Sequence, residues 1–200
     1  MKLIKLFTPL VMLSAIAAAN GAAAEDPQVD IKTSHGTLRF ELYAGKAPKT
    51  VANFLQYVRD GHFDGTIFHR VIDAFMIQGG GFDKNYNQKK TRDTIENEAE
   101  MGIKAGLKND LGTIAMARTA APHSASSQFF INLKNNDFLN FTSADSRGYG
   151  YAVFGKVVSG MDVVMKIAKL KTGSGGPFPT DAPQEMVIIE AASVVEAAKK

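Results

Sequence analysis

The sequence predicts a mainly β protein whose strands form a closed or nearly closed antiparallel barrel. Three observations lead there. Short β-like runs recur along the chain, divided by stretches rich in Gly, Asn, Asp and Lys. Only two segments carry helical periodicity, so the alternating βα units that a parallel sheet needs are missing. The last β-like run can pair with the first and so remove an exposed sheet edge.

The N-terminal segment is set apart from that fold. Lys2 and Lys5 precede a mostly apolar run from Leu6 to Ala19, interrupted by Thr8, Pro9 and Ser14, and Ala22-Ala23-Ala24 then lead into Glu25, Asp26 and Pro27. Basic, apolar and small-residue regions in that order read as a secretory signal peptide over residues 1–24, cleaved after Ala24. A retained anchor is the rival reading, but the run falls short of the ~20 continuous apolar residues that span a bilayer. No stable membrane anchor is expected, and residues 25–200 form one domain.

Within that domain, Val29 to Thr33 and Thr37 to Leu42 read as strands of a hairpin turning at Ser34-His35-Gly36. Pro48 opens a helix, where its fixed φ and missing N–H do no harm. Val51, Phe54, Leu55 and Val58 follow at i, i+3, i+4 and i+7 on one apolar face, and Gly61 is placed to end it. Further β-like runs are Thr66 to Ile72, Phe75 to Gln78, Gly112 to Ala117, Gln128 to Leu133 and Tyr151 to Val158. Met161, Val164, Met165 and Ala168 predict a second helix, Gly173 to Pro183 a loop, and Met186 to Val195 the closing strand.

Composition excludes several functions. The chain has no cysteine, which removes disulfides, thiolate catalysis and Cys-ligated metal. Loss of the two signal lysines brings the formal charge from +3 to about +1, a balance unlike the basic face of a nucleic-acid binder. His35, His62, His69 and His123 are scattered without metal-ligand spacing, and no metal or cofactor is expected. Ser124, Ser126 and Ser127 lack the Gly-x-Ser-x-Gly turn of a hydrolase, and Gly79-Gly80-Gly81 lack the Lys-Ser/Thr step of a phosphate loop. Those glycines read as a tight turn. Glu96, Glu98 and Glu100 alternate along one stretch, fitting a solvated face better than a cation site.

The informative stretch is Phe68-His69-Arg70-Val71-Ile72 followed by Phe75-Met76-Ile77-Gln78-Gly79-Gly80-Gly81. Strand alternation puts Phe68, Arg70 and Ile72 on one face, with His69 and Val71 on the other, and His69 reads as a core or structural histidine. Arginine is rarely buried without a partner, so taken alone Arg70 fits an arginine tied to a carboxylate or carbonyls at a barrel rim. The whole stretch, then Gly112 to Arg118, Ser127 to Ile131, Phe138-Leu139, Val153 to Val157 and Gly160 to Val164, closely resembles the cyclophilin signature in order and spacing. The resemblance covers Val29 to Val195 and is greatest to the periplasmic cyclophilins of Gram-negative bacteria.

That resemblance implies a closed eight-stranded antiparallel β-barrel capped by two α-helices, with a substrate groove on its outer face. It implies a peptidyl-prolyl cis-trans isomerase that assists the folding of exported proteins. The family's catalytic arginine falls on Arg70 and its polar neighbour on Gln78, which is expected to hold Arg70 or the substrate backbone. The proline pocket falls on Phe75, Met76, Phe130 and Leu139. Ala117 and Gln128 match groove positions. Phe138 stands where many members have tryptophan, Tyr151 where many have histidine, and Arg118 where asparagine is common. The implied partners are proline-containing peptides and unfolded exported proteins, met by a monomer, with cyclosporin a weak ligand because of Phe138.

The chemistry suits those residue types. Amide resonance sets a barrier of ~18–20 kcal/mol, and X-Pro bonds exchange only over tens to hundreds of seconds. The catalyst must favour the twisted amide, whose proline nitrogen can accept a donor. An arginine offers several N–H groups in a fixed plane. A turnover of ~10³ s⁻¹ needs a barrier reduction of roughly 6–7 kcal/mol. One charged donor in a dry site supplies about 3–4 kcal/mol of it, leaving the rest to grip on the ring and desolvation. Two other readings remain: a chaperone that holds proline segments without turnover, and a small-ligand carrier with a hollow barrel. Phe40, Phe68 and Phe129 as inward residues argue against the hollow barrel.

Overall fold

The computed structural model describes residues 26–196, so the expected signal segment and its expected cleavage point lie outside the described residues. The strands are β1 (Gln28–Thr33), β2 (Gly36–Leu42), β3 (Thr66–Ile72), β4 (Met76–Asp83), β5 (Thr113–Met116), β6 (Phe129–Asn132), β7 (Val153–Ser159), β8 (Thr172–Gly175), β9 (Phe178–Pro183) and β10 (Ile189–Val194). Helices α1 (Pro48–Arg59), α2 (Ala99–Lys104) and α3 (Met161–Ala168) join them. Eight strands form one antiparallel sheet in the order β10-β1-β2-β7-β5-β6-β4-β3, while β8 and β9 form a separate hairpin.

The two edges of the large sheet meet. β10 pairs with β1 from Val29↔Val194 to Thr33↔Ile189, as the edge argument predicts. On the other side Phe68 donates its backbone N–H to the Val187 carbonyl (2.9 Å), Gly65 donates to Ile189 (2.8 Å), and Ile67 bridges Ile188. The result is a nearly closed barrel.

Side-chain alternation then sorts residues into two apolar clusters. Ile77, Ile114, Met116, Phe129, Ile131 and Phe154 join the interior cluster with the buried faces of α1 and α3. Their strand neighbours Met76, Ala115, Phe130 and Val153 join a second cluster outside the barrel wall. The interior is filled by rings: Phe54 lies 5.5 Å from Phe129 edge-on and 5.1 Å from Phe154, and Phe40 lies 5.9 Å from Phe129. Such pairs add about 0.5–1.5 kcal/mol each beyond their burial. Packing of this kind among the described residues argues against a hollow barrel that carries a ligand.

Several expectations are corrected. Phe68 does not share a face with Arg70; it lies in the interior cluster with Val71. The pairing steps from Phe68↔Gly79 to Arg70↔Gln78, a bulge that inserts one residue and resets the alternation. Gly79 to Gly81 do not turn but run inside β4, because Phe68, Phe63, Phe129 and Gln128 press so close that a Cβ at any of the three would crowd them. Gly173 to Pro183 is not an open loop but the β8–β9 hairpin, whose Phe178 stacks on His69 at 5.0 Å. Met165 is exposed, and α3 buries Val164, Ile167 and Ala168 instead. Glu98 is buried rather than solvated. The short α2 carries too few turns to show a sequence period.

Candidate active site

The site begins as a row of cross-strand pairs. Arg70 on β3 stands opposite Gln78 on β4, Gln78 opposite Phe130 on β6, Phe130 opposite Ala115 on β5, and Ala115 opposite Val153 on β7. Register therefore brings one cation, one amide and one large ring into line on the outer face, across residues distant in sequence. The bulge before Arg70 turns its side chain to this face rather than into the core.

A cavity of about 220 Å³ opens above that row. Phe75, Met76, Phe130 and Leu139 form its apolar wall, Arg70 and Gln78 one polar edge, and Ala117, Arg118 and Tyr151 the far side. Eight of the ten residues expected from sequence line it. The other two flank it. Gln128 accepts a hydrogen bond from the Gln78 amide at 2.9 Å, and Phe138, 71% exposed, stacks on Phe75 at 5.7 Å. Phe130 meets Tyr151 edge-on at 5.5 Å.

The walls are held from behind by a buried asparagine network that sequence reasoning missed. Asn136 donates to the Phe75 carbonyl (3.0 Å) and to Asn132 Oδ1 (2.8 Å), while Asn109 donates to the Leu139 carbonyl (3.2 Å). Asn132 in turn donates to Asn109 Oδ1 (3.2 Å) and Thr113 Oγ1 (3.0 Å). Fixed carbonyls of Phe75 and Leu139 fix their side chains. No period or motif marks such a network, because each asparagine is read only through its three-dimensional partners.

The electrostatics bear out one reading of Arg70, a carboxylate partner at the barrel rim, and of the two roles expected for Gln78 they do not show the hold on Arg70. Gln78 bonds Gln128, not Arg70. The charged partner of Arg70 is Asp181 on the β8–β9 hairpin, with Nε and Oδ2 3.6 Å apart and both side chains partly exposed. Asp181 has φ +66°, a left-handed conformation unusual for a residue with a side chain. Its segment reads as a loop in sequence, so nothing there announces it. Behind Arg70, His69 is 2% exposed between Phe82 and Phe178, and burial pushes its pKa down to about 4. It is neutral at neutral pH and faces away from the cavity. Among the described residues no group of three or more His, Cys, Asp or Glu is placed to hold a metal ion.

The sequence model of the family described as cyclophilin type peptidyl-prolyl cis-trans isomerase/CLD matches residues 28–194, nearly all of the described chain. The chain belongs to the cyclophilin-type isomerases. Peptidyl-prolyl cis-trans isomerase B of Escherichia coli (strain K12) is 54% identical over 168 residues, 84% of this chain and 99% of that protein. A peptidyl-prolyl cis-trans isomerase of Acinetobacter baylyi is 49% identical over 179 residues, 90% of this chain and 88% of that protein. Among solved structures, a cyclophilin-type isomerase of Cryptosporidium parvum, crystallised in the presence of the dipeptide Ala-Pro, matches with TM-score 0.67 at 28% identity, over 85% of this chain and 99% of that one. The nearly closed eight-stranded barrel is thus a cyclophilin barrel, and its reaction is rotation about peptidyl-prolyl bonds.

Proposed function

We propose that this cyclophilin isomerises X-Pro bonds in exported proteins as they fold, with Arg70 as the catalytic donor. The observation that carries the reading is the placement of a guanidinium at the edge of a cavity of about 220 Å³ with an apolar wall. The wall of Phe75, Met76, Phe130 and Leu139 grips the pyrrolidine ring while the preceding carbonyl rotates. Arg70 donates to the proline nitrogen once twisting has localised its lone pair. Gln78, tied to Gln128, holds the substrate backbone beside it, and Ala117, Tyr151 and Phe138 border the groove. The step needs no nucleophile and no metal, because no bond is broken.

The Ala-Pro dipeptide named with the Cryptosporidium parvum structure supports proline-containing peptides as substrates here. The basic-apolar-small order of residues 1–24 supports export to the periplasm and cleavage near Ala24. Phe138, a smaller ring than tryptophan and 71% exposed, supports weak cyclosporin binding.

The test is refolding of a denatured exported protein whose slow phase is limited by a prolyl bond. The full-length chain is expressed, and its periplasmic fraction is sequenced from the N-terminus. The expected result is a product beginning near Glu25 that accelerates the slow phase, with the acceleration lost in Arg70→Ala. A cytoplasmic product with an intact N-terminus would overturn the export reading, and an equally active Arg70→Ala would overturn the catalytic one.

A further inference from the structure

Arg118 lines the cavity opposite Arg70, and it differs from Arg70 in lacking a carboxylate partner among the described residues. Its guanidinium is anchored by carbonyls alone. Nε–H donates to Gly150 (2.8 Å), and one terminal nitrogen donates to Thr119 (2.9 Å) and Ala120 (3.3 Å). The group lies over the Tyr151 ring, with Cζ 4.8 Å from the centroid. The second terminal nitrogen makes no hydrogen bond among the described residues. Carbonyl anchors fix direction without neutralising charge, whereas the charge of Arg70 is shared with Asp181.

Among the described residues neither Asp145 nor Asp137 pairs with Arg118. Asp145 accepts from Ser143 Oγ and from the backbone N–H groups of Arg147 and Gly148, and Asp137 accepts from the Asn140 amide. No acidic residue lines the cavity. A half-buried cation with free donors, held on an aromatic face beside the proline pocket, favours an anionic group in what binds there. We propose that Arg118 sets substrate preference: the site favours proline segments carrying a carboxylate side chain next to the proline and disfavours those carrying a cation there. This rests on the isomerase reading of the same site. The competing role for Arg118 is a staple that pins Thr119, Ala120 and Gly150. A staple affects stability and all peptides alike, but not the ratio between peptides.

The experiment uses blocked peptides that differ only in one residue flanking the proline, Glu, Gln or Lys, placed before the proline in one series and after it in the other. NMR exchange spectroscopy gives kcat/KM for each. The expected order is Glu, Gln, Lys on at least one flank, with Glu over Lys by roughly three- to ten-fold at low salt. Near ~1 M salt, where the screening length is about 3 Å, the preference shrinks towards unity. In Arg118→Gln the Glu-to-Lys ratio falls to about one whatever the absolute rates, and in Arg118→Glu it inverts. A wild-type ratio near one on both flanks, or a ratio that survives Arg118→Gln, overturns the proposal. Failure of the isomerase reading is a different result, no acceleration even of the Gln peptide. Chemical-shift titration with the same peptides then decides the charge preference by the same ratios.

Discussion

At the scale of single residues, Gly81 shows how little room the site has. A Cβ on Gly81 would stand 2.5–2.6 Å from the side chain of Gln128, the acceptor for Gln78. The obstructing atoms belong to a flexible side chain, so an alanine there would swing Gln128 aside rather than break the barrel. Gly81→Ala is therefore expected to cost several-fold in kcat/KM, the worth of one hydrogen bond of about 0.5–1.5 kcal/mol, while Tm shifts by only a few degrees. Exchange NMR and a thermal melt on the same sample check this. Arg70→Lys separates geometry from charge: a point charge cannot copy the planar fork, and the expected loss is about 10²-fold, read as kcat/KM on an X-Pro peptide. The eight expected residues that line the cavity were legible because they fall in one signature in fixed order. Asp181 and the asparagine network were not, since their roles come from partners far away in the chain. The shared face assigned to Phe68 and Arg70 failed for a third reason: a bulge leaves no mark in the side-chain pattern.

At the scale of elements, α1 is capped by a residue outside itself. Ala47 offers no side-chain cap, and the first-turn donors turn instead to Glu98. Its carboxylate accepts from Lys49 N–H (3.0 Å), Thr50 N–H (2.8 Å) and Thr50 Oγ1 (2.7 Å) while only 7% exposed. A negative charge there also suits the positive end of the helix. The neighbours differ: Glu96 pairs with Lys49, and Glu100 with Lys104 at 2.6 Å, both exposed. One alternating acidic stretch thus hides a structural residue between two surface ones, and the alternation alone gives no way to tell them apart. Glu98→Ala is expected to cost about 2 kcal/mol, or roughly 4–8 °C in Tm, with kcat/KM on the folded fraction nearly unchanged because neither Glu98 nor any residue of α1 lines the cavity. Thermal denaturation followed by circular dichroism measures it. The β8–β9 hairpin is the element that sequence reading lost. Its Gly and Pro content suits an edge ribbon as well as a loop, and only the packing of Phe178 on His69 and Phe82 separates the two.

For the whole molecule, closure of the barrel was readable because it needs only a first and a last strand, and both were visible. Closure joins β1 to β10 and β10 to β3, so the first and last strands of the described residues are held together by pairings of long sequence separation. The hairpin then covers His69 outside that wall. Its imidazole has an ordinary pKa of 6.5 in the unfolded chain and about 4 in the fold. Between those values the unfolded chain binds the extra proton, so stability falls as pH drops from 6.5 towards 4 and is unaffected by this group above 6.5. Over the full window the loss approaches roughly 3 kcal/mol. His69→Phe, which keeps an aromatic ring between Phe82 and Phe178, is expected to flatten that acid limb. Chemical denaturation at a series of pH values measures it, and parallel curves for wild type and variant would contradict the burial argument.

A bulge places Arg70 at the rim of the pocket, where it is proposed to drive X-Pro rotation. The most direct measurement is NMR exchange on one X-Pro peptide at equal concentrations of wild type and Arg70→Ala, with matching melts to establish that both are folded. Rapid exchange is expected with the wild type, and a loss of about 10²- to 10³-fold in the variant at unchanged Tm. Equal exchange rates in two folded proteins would contradict it.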